Sequence, residues 1–146
     1  MHYRLYSDNP ESRYIEVECR IKTEETHTLE VQLPTWRPGR YELQNFAKNI
    51  QRFGVFDRAG NPLLFKKITK DRWQIQTQGE TDIVIQYNYY SAVLNAGSSY
   101  VSEEFWYVNP VNLCLYTDQN LHESCTLELV IPDNFVVACG LKQISE

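Results

Sequence analysis

The sequence has 146 residues, a length that suits a single domain and buries roughly 68–70% of the unfolded chain's surface. Hydrophobic residues make up 42% of it and charged residues 23%, as in ordinary globular proteins. The net charge of -5 disfavours nucleic acid, whose phosphates need a basic surface, and disfavours anionic membrane surfaces for the same reason. We therefore expect no nucleic-acid partner and no membrane partner.

Neither a spanning helix nor a signal peptide is indicated, since no apolar run approaches the ~18–20 residues of a membrane span. The cysteines lie far apart and form no C-x-x-C pair: Cys19, Cys114, Cys125 and Cys139. Cys19 and Cys125 fall on the apolar phase of alternating segments, where a reduced cysteine behaves as a small buried hydrophobe. Reduced core thiols are thus favoured over a disulfide or a metal site, and the expected location is cytoplasmic.

Alternating apolar and polar residues predict strands in the first half of the chain, at residues 3–6, 14–22 and 28–33. The second and third of these are expected to pair as an antiparallel hairpin. Residues 42–53 have helix-like spacing, which predicts one short helical turn followed by a strand through Val55 and Phe56.

The second half of the chain continues the same rhythm after a turn at residues 57–62. The clearest strand there directs Ile83, Ile85, Tyr87 and Tyr89 inward, and residues 91–104 form a long loop of small residues. The remaining strands are predicted at 64–68, 72–76, 112–117, 124–131 and 135–139. This pattern predicts an all-β fold, an antiparallel β-sandwich or saddle-like sheet with at most one short helical turn.

A corner at residues 33–41, LPTWRPGRY, ends a strand with two prolines and a glycine, residues that shape irregular backbone. It carries two aromatic rings and two guanidinium groups: Trp36, Tyr41, Arg37 and Arg40. The corner is expected to plug one end of the core or, alternatively, to present a platform to a partner. The arginines either grip a carboxylate, including one from a neighbouring domain, or form local ion pairs at a sheet edge.

A second candidate site lies at Tyr100, Glu103 and Glu104, directly before the aromatic run Phe105, Trp106 and Tyr107. Adjacent carboxylates beside aromatic rings can present one acid to a cation such as a ligand's ammonium group. The alternative interpretation is a solvated acid pair that flanks a core strand.

Catalytic motifs are absent from the sequence, which contains no H-E-x-x-H, no G-x-S-x-G and no glycine-rich phosphate loop. His2, His27 and His122 lie in unrelated contexts, so they predict no zinc site. We assign no catalytic residue, no metal ligand and no cofactor to these residues.

An ordered series of motifs resembles the amino-terminal β domain of the glycyl aminopeptidases, zinc metallopeptidases of the thermolysin-like H-E-x-x-H clan. The corner resembles that family's L-P-x-W-x-P-G-x-Y motif. The other matching segments follow in the family's order along the whole chain: Asn9-Pro10 near the start, then residues 45–50, 56–63, 70–73, 84–90 and 105–109.

The resemblance implies that these residues are one amino-terminal domain, 1–146, of a longer multidomain peptidase. In such enzymes the zinc ligands and general base lie in a following catalytic domain, usually trailed by a PDZ-like domain, and neither is contained in this sequence. The amino-terminal sheet packs on the catalytic domain, walls the substrate cleft and can hold the amine of a peptide substrate. Our substrate-contact candidates are Tyr100, Glu103, Glu104 and Trp106, and our structural or interdomain candidates are Trp36, Arg37, Arg40 and Tyr41.

Two other functions compete with this interpretation. A stand-alone β-sandwich binding module would use exposed aromatic rings on peptide or carbohydrate, and a purely structural scaffold would bind nothing. An accessory domain, unlike either, should expose an apolar patch where the catalytic domain packs.

Overall fold

The computed structural model describes residues 1–24 and 26–144. The strands are β1 (His2–Tyr6), β2 (Tyr14–Lys22), β3 (Thr28–Gln32), β4 (Ile50–Asp57), β5 (Phe65–Lys67), β6 (Arg72–Gln76), β7 (Asp82–Tyr90), β8 (Tyr100–Val101), β9 (Trp106–Tyr107) and β10 (Thr126–Leu129). Single helical turns occur at Pro10–Ser12, Phe46–Asn49, Pro110–Leu113 (α1) and Asp118–Asn120.

The larger sheet has the order β10-β1-β2-β7-β4 and is antiparallel except for the parallel pair β1 and β10. Its centre is the ladder between β2 and β7, which runs without a break from Tyr14 opposite Tyr90 to Lys22 opposite Asp82. The predicted inward residues of β7 are all buried, and so are alternate residues of β2. The alternation of apolar and polar residues therefore predicted the buried face of this sheet correctly.

The second layer is a smaller antiparallel sheet with the order β3-β6-β5, and β8 and β9 form a separate two-stranded hairpin. Alternate residues of β3 and β6 point at the larger sheet and join the same buried cluster: Leu29, Val31, Trp73 and Ile75. Two sheets facing one apolar core form a β-sandwich, so the all-β prediction is confirmed.

An aromatic stack joins the two sheets around Phe53. The register of β4 against β7 shifts between Gln51 and Gly54, and Arg52 has a φ of 52° at this bulge. Bulges re-aim neighbouring side chains, and here the ring of Phe53 stacks on Trp73 of the smaller sheet with centroids 4.7 Å apart. The same ring lies 5.9 Å from that of Tyr87 in the larger sheet.

The predicted hairpin of residues 14–22 and 28–33 is wrong. Both edges of β2 are occupied by β1 and β7, so β3 crosses to the other sheet and pairs with β6. The connection from β6 back to β7 crosses beside it, and hydrogen bonds from Thr23 N to Thr81 O and from Thr77 N to His27 O tie the two crossings together. Short-range alternation does not reveal which edge is free.

The predicted strand at residues 112–117 is also wrong. Pro110 begins the helical turn α1, since proline suits the first turn of a helix, and Cys114 N donates to Pro110 O to end it. Two buried phenols then fix the following backbone against the larger sheet. Tyr87 Oη donates to Leu113 O and Tyr3 Oη donates to Leu115 O, each at 2.5 Å, and burial raises the pKa of both phenols.

The end of the chain differs from the prediction as well. Residues 135–139 form no strand, because a turn in which Phe135 N donates to Pro132 O leads into irregular backbone. The predicted loop at 91–104 contains β8, and four single helical turns occur where at most one was expected. None of these differences alters the fold class.

Asp71 closes the turn between β5 and β6. Its carboxylate accepts hydrogen bonds from Thr69 Oγ1 at 2.8 Å and from Gln32 Nε2 at 2.6 Å. Burial opposes ionisation of this carboxyl group, but the hydrogen bonds from Thr69 and Gln32 outweigh it and hold the pKa of Asp71 below its ordinary value.

We predict that Tyr87→Phe lowers the free energy of unfolding by about 1–3 kcal/mol, because the buried carbonyl of Leu113 loses its donor. Urea denaturation of this chain measures the change. Tyr90→Phe is the matched control, since Tyr90 lies on the same strand and is 43% exposed. Equal losses in the two variants would contradict the assigned role of the phenol.

We also predict a pH-dependent effect of Asp71→Asn. Because the folded-state pKa is lowered, ionised Asp71 stabilises the fold above its unfolded-state pKa of about 3.9, and that stabilisation is lost as pH falls through the folded-state pKa. The deficit of the variant at pH 7 should therefore shrink below about pH 4 in urea unfolding experiments. Asp133→Asn, at an exposed position, should show no such trend.

Candidate functional site

The acid pair lies at the tip of the hairpin formed by β8 and β9. Four residues turn the chain between the strands, and Ser102 stabilises the turn. Its Oγ accepts hydrogen bonds from the backbone N–H groups of Glu104 and Phe105 and donates to Phe105 O. Glu103 and Glu104 are exposed, and within residues 1–24 and 26–144 neither carboxylate forms an ion pair. The tip thus holds two negative charges that no neighbouring cation neutralises.

Tyr100 supports the hairpin more than it offers a free surface. The Arg13 guanidinium lies 4.8 Å from the centroid of its ring, and the ring of Phe105 lies 5.3 Å away. Arg13 Nη1 also donates to Val101 O at 2.6 Å. Arg13 is thereby committed to the base of the hairpin, and the ring of Tyr100 is occupied from within the protein.

Trp106 lies beneath the carboxyl-terminal segment. Its ring packs on the buried core and meets Phe135 edge-on, with the ring centroids 6.3 Å apart. The indole Nε1 is buried and has no acceptor in the part of the chain that the structure describes. Trp106 therefore connects the hairpin to residues 130–144.

The corner is not a plug, so that prediction is wrong. Trp36 is 49% exposed and Tyr41 is 99% exposed, and the neighbouring Leu43 is exposed as well. The buried end of the strand before it is Leu33, and after it the chain returns to the core only at Phe46 and Ala47. The corner therefore projects its aromatic side chains outward, as the platform alternative expected.

The two arginines of the corner behave differently. Arg40 forms a local ion pair with Glu42 at 3.1 Å, as one of the two alternatives predicted. Arg37 instead folds over Gly97 in the loop that precedes the hairpin: a Cβ added to Gly97 would lie 2.9 Å from Cζ and Nε of Arg37. This contact links the corner to the loop that leads into the hairpin, which sequence reasoning did not predict.

Sequence reasoning missed the residues that hold the loop. Asn112 is fully buried on α1, donates to Gly97 O and accepts from Ser99 Oγ. Ser99 Oγ in turn accepts from Asn109 N, and Gly97 N donates to Asn95 Oδ1. The only signal in the sequence was Asn112 in an otherwise apolar stretch, and it fell in the strand wrongly predicted for residues 112–117.

Among residues 1–24 and 26–144, no group of three or more His, Cys, Asp or Glu side chains is arranged to hold a metal ion. All four cysteines are free thiols. Cys19 is buried as predicted, whereas Cys125 is exposed, which contradicts its predicted place on an apolar face. Burial raises the pKa of the Cys114 thiol to about 12, which keeps it protonated and unreactive at neutral pH.

Two shallow depressions involve neither the hairpin nor Arg37. One, of about 730 Å³, lies on the outer face of the larger sheet between charged residues of β2 and Phe56. The other, of about 510 Å³, is lined by Asn45, Ile68, Thr69 and three lysines, Lys48, Lys67 and Lys70. Neither depression is lined by a substrate-contact or interdomain candidate residue.

The features described above define this chain as an all-β sandwich domain with an exposed corner and an acidic hairpin tip. The chain belongs to the Peptidase M61 N-terminal domain family, whose model matches residues 2–146. The resemblance to the amino-terminal domain of the glycyl aminopeptidases is thereby confirmed.

A solved structure supports the same assignment. The chain is similar to the crystal structure of an aminopeptidase N family protein from Idiomarina loihiensis, with a TM-score of 0.79 and 26% identity over 90% of this chain. It spans only 22% of that relative's length. No curated protein matches the sequence. None of the helices in residues 1–24 and 26–144 is long and apolar enough to cross a membrane.

We predict that Asn112→Ala loosens the loop under Arg37, because the buried carbonyl of Gly97 loses its donor. The expected cost is about 1–3 kcal/mol in the free energy of unfolding, with faster amide hydrogen exchange at residues 97–101. Asn134→Ala, at an exposed position, is the control. Unchanged exchange in this loop would contradict the role given to Asn112.

Proposed function

We propose that this chain is the non-catalytic amino-terminal domain of a zinc-dependent glycyl aminopeptidase. It packs on the catalytic domain of the same polypeptide and forms one wall of the substrate cleft. The observation that carries the proposal is the hairpin tip of Glu103 and Glu104 on a domain of the Peptidase M61 N-terminal family. Their carboxylates are free to accept hydrogen bonds from outside the domain.

Exposed apolar side chains support a packed domain interface. The carboxyl-terminal segment leaves Val136 95% exposed and Ile144 76% exposed, and Val137 and Leu141 are also exposed. The contact between Phe135 and Trp106 places this segment beside the hairpin, where Phe105 and Tyr107 are exposed too. Exposed apolar surface of this kind is typical of interaction sites and supports the proposal of a packed domain interface.

The zinc chemistry belongs, in this proposal, to the domain that follows. Residues 1–24 and 26–144 contain no ligand set that fits the metal, so no catalytic step is assigned to them. Their contribution is to position the substrate and to exclude water from one side of the cleft.

The hairpin acids suit the amino-terminal ammonium group of a peptide. A carboxylate accepts a charge-assisted hydrogen bond from an ammonium group, and such bonds are roughly twice as strong as neutral ones. The next residue, Phe105, is 41% exposed and offers a ring surface beside the acids. An aminopeptidase must recognise this free amine, and an acid at the edge of the cleft would do so.

We also propose a cytoplasmic location for the parent enzyme. The support is the set of four unpaired thiols, since disulfides are rare in reducing compartments.

We predict that Glu103→Gln or Glu104→Gln in the full-length enzyme raises KM for a peptide substrate by about 10- to 100-fold, because a charge-assisted contact contributes about 1.5–3 kcal/mol. Steady-state kinetics measure KM for the peptide with a free amino terminus, and competitive inhibition by the same peptide acetylated at its amine measures binding without the ammonium group. The inhibition constant of the acetylated peptide should be insensitive to either change.

Glu123→Gln is the matched control, since Glu123 is exposed and has no ion pair among the described residues. An unchanged KM in both hairpin variants would remove the assigned role of the acids. The mass of the native polypeptide tests the proposal independently. A native chain of 17.2 kDa that binds peptide or carbohydrate would favour the stand-alone binding module.

A further inference from the structure

Arg37 is a partly buried cation that lacks a partner among residues 1–24 and 26–144. Its Nε is inaccessible to water and has no acceptor in residues 1–24 and 26–144, and the guanidinium forms no ion pair there. Other arginines of the chain are paired: Arg40 with Glu42, Arg72 with Glu30 and Arg20 with Glu18. Arg37 differs from these three in that its Nε is buried and the described residues provide neither an acceptor nor an ion-pair partner.

Gly97 gives Arg37 a defined position. The glycine is buried beneath the guanidinium, and a Cβ at this position would overlap the guanidinium, whose Cζ would be only 2.9 Å away. Gly97 is itself immobilised, because its N–H donates to Asn95 Oδ1 and its carbonyl accepts from Asn112 Nδ2. The guanidinium therefore rests on a cradle of backbone that these two hydrogen bonds fix in place.

The guanidinium of Arg37 needs an anion that the described residues do not supply. Withdrawing a guanidinium from water without a partner is unfavourable, and buried charges in proteins are normally paired. A planar guanidinium fork matches a carboxylate, which it binds through two parallel N–H···O hydrogen bonds. The cradle holds the fork ready for such a partner.

The surroundings of Arg37 favour a protein surface as the source of the carboxylate. Trp36, Arg37 and Tyr41 combine the three residue types that dominate binding energy at protein interfaces, and Trp36 is 49% exposed and Tyr41 99% exposed. The solved relative is several times longer than this chain, which spans 22% of it. We therefore take a further domain of the same polypeptide as the source of the carboxylate.

We propose that Arg37, held over Gly97, forms an ion pair with an aspartate or glutamate of the domain that follows in the polypeptide. The inference rests on the proposed function for the existence of that domain, and it assigns to Arg37 the charged contact of the interface. Trp36 and Tyr41 supply the apolar contacts around it. Arg40, which is neutralised by Glu42, takes no part.

The test is zero-length cross-linking of full-length protein that carries Arg37→Lys. A carbodiimide joins an amine only to a carboxylate that touches it, so peptide mass spectrometry should find position 37 linked to an acid beyond residue 146. Arg40→Lys is the matched control and should link to Glu42 alone. A link from position 37 only to residues of 1–146, or only to added peptide substrate, would overturn the inference.

A second variant, Gly97→Ala, tests the inference while Arg37 itself stays unchanged. Gly97→Ala keeps every charge but places a Cβ in the space of the guanidinium, and Gly97 has no positive φ that would strain an alanine. Full-length Gly97→Ala should unfold at a lower temperature than full-length Gly140→Ala, whose Cβ meets nothing. Equal midpoints would overturn the inference.

The outcome can be separated from that of the proposed function. A full-length protein without aminopeptidase activity, but with the cross-link from position 37 to a following domain, would refute the enzyme assignment and retain the Arg37 contact. An active enzyme without the cross-link would support the enzyme assignment and refute the Arg37 contact.

Discussion

The unbroken ladder between β2 and β7 is the constraint on which the rest of the structure depends. It fixes which face of both strands is buried, because a slip of one residue would turn every side chain to the other side. With β7 on one edge of β2 and β1 on the other, no edge of β2 is left for β3. Strand β3 therefore pairs in a second layer. The sandwich and its single core follow from that displacement.

The larger sheet also positions the candidate site through a series of intermediate contacts. Its buried phenols Tyr3 and Tyr87 hold the backbone at Leu115 and Leu113, and that backbone includes α1. Asn112 on α1 then fixes the loop at Gly97, over which Arg37 lies. Buried hydrogen bonds therefore connect the core to Gly97, and the packing of Arg37 over Gly97 connects this loop to the exposed corner.

Local pattern predicted strands well where one face is dry and the other wet. The limits of β2 and the inward residues of β7 agree with the alternation of their side chains. The pattern predicted strands wrongly at residues 112–117 and 135–139, which follow Pro110 and Pro132, and each of these prolines begins a turn. It also placed Trp36 in the core, because an aromatic residue at a corner has the same composition whether it packs inside or against another domain.

The sequence by itself determined the fold class, the family and the irregular character of the corner, since these follow from side-chain period, motif order and the backbone preferences of proline and glycine. Only the tertiary structure decided which strands pair, that Arg40 is neutralised while Arg37 is not, and that Arg37 rests on Gly97. The physical reason is that these contacts join residues far apart in the chain. They depend on which edges and surfaces remain free after the core has formed.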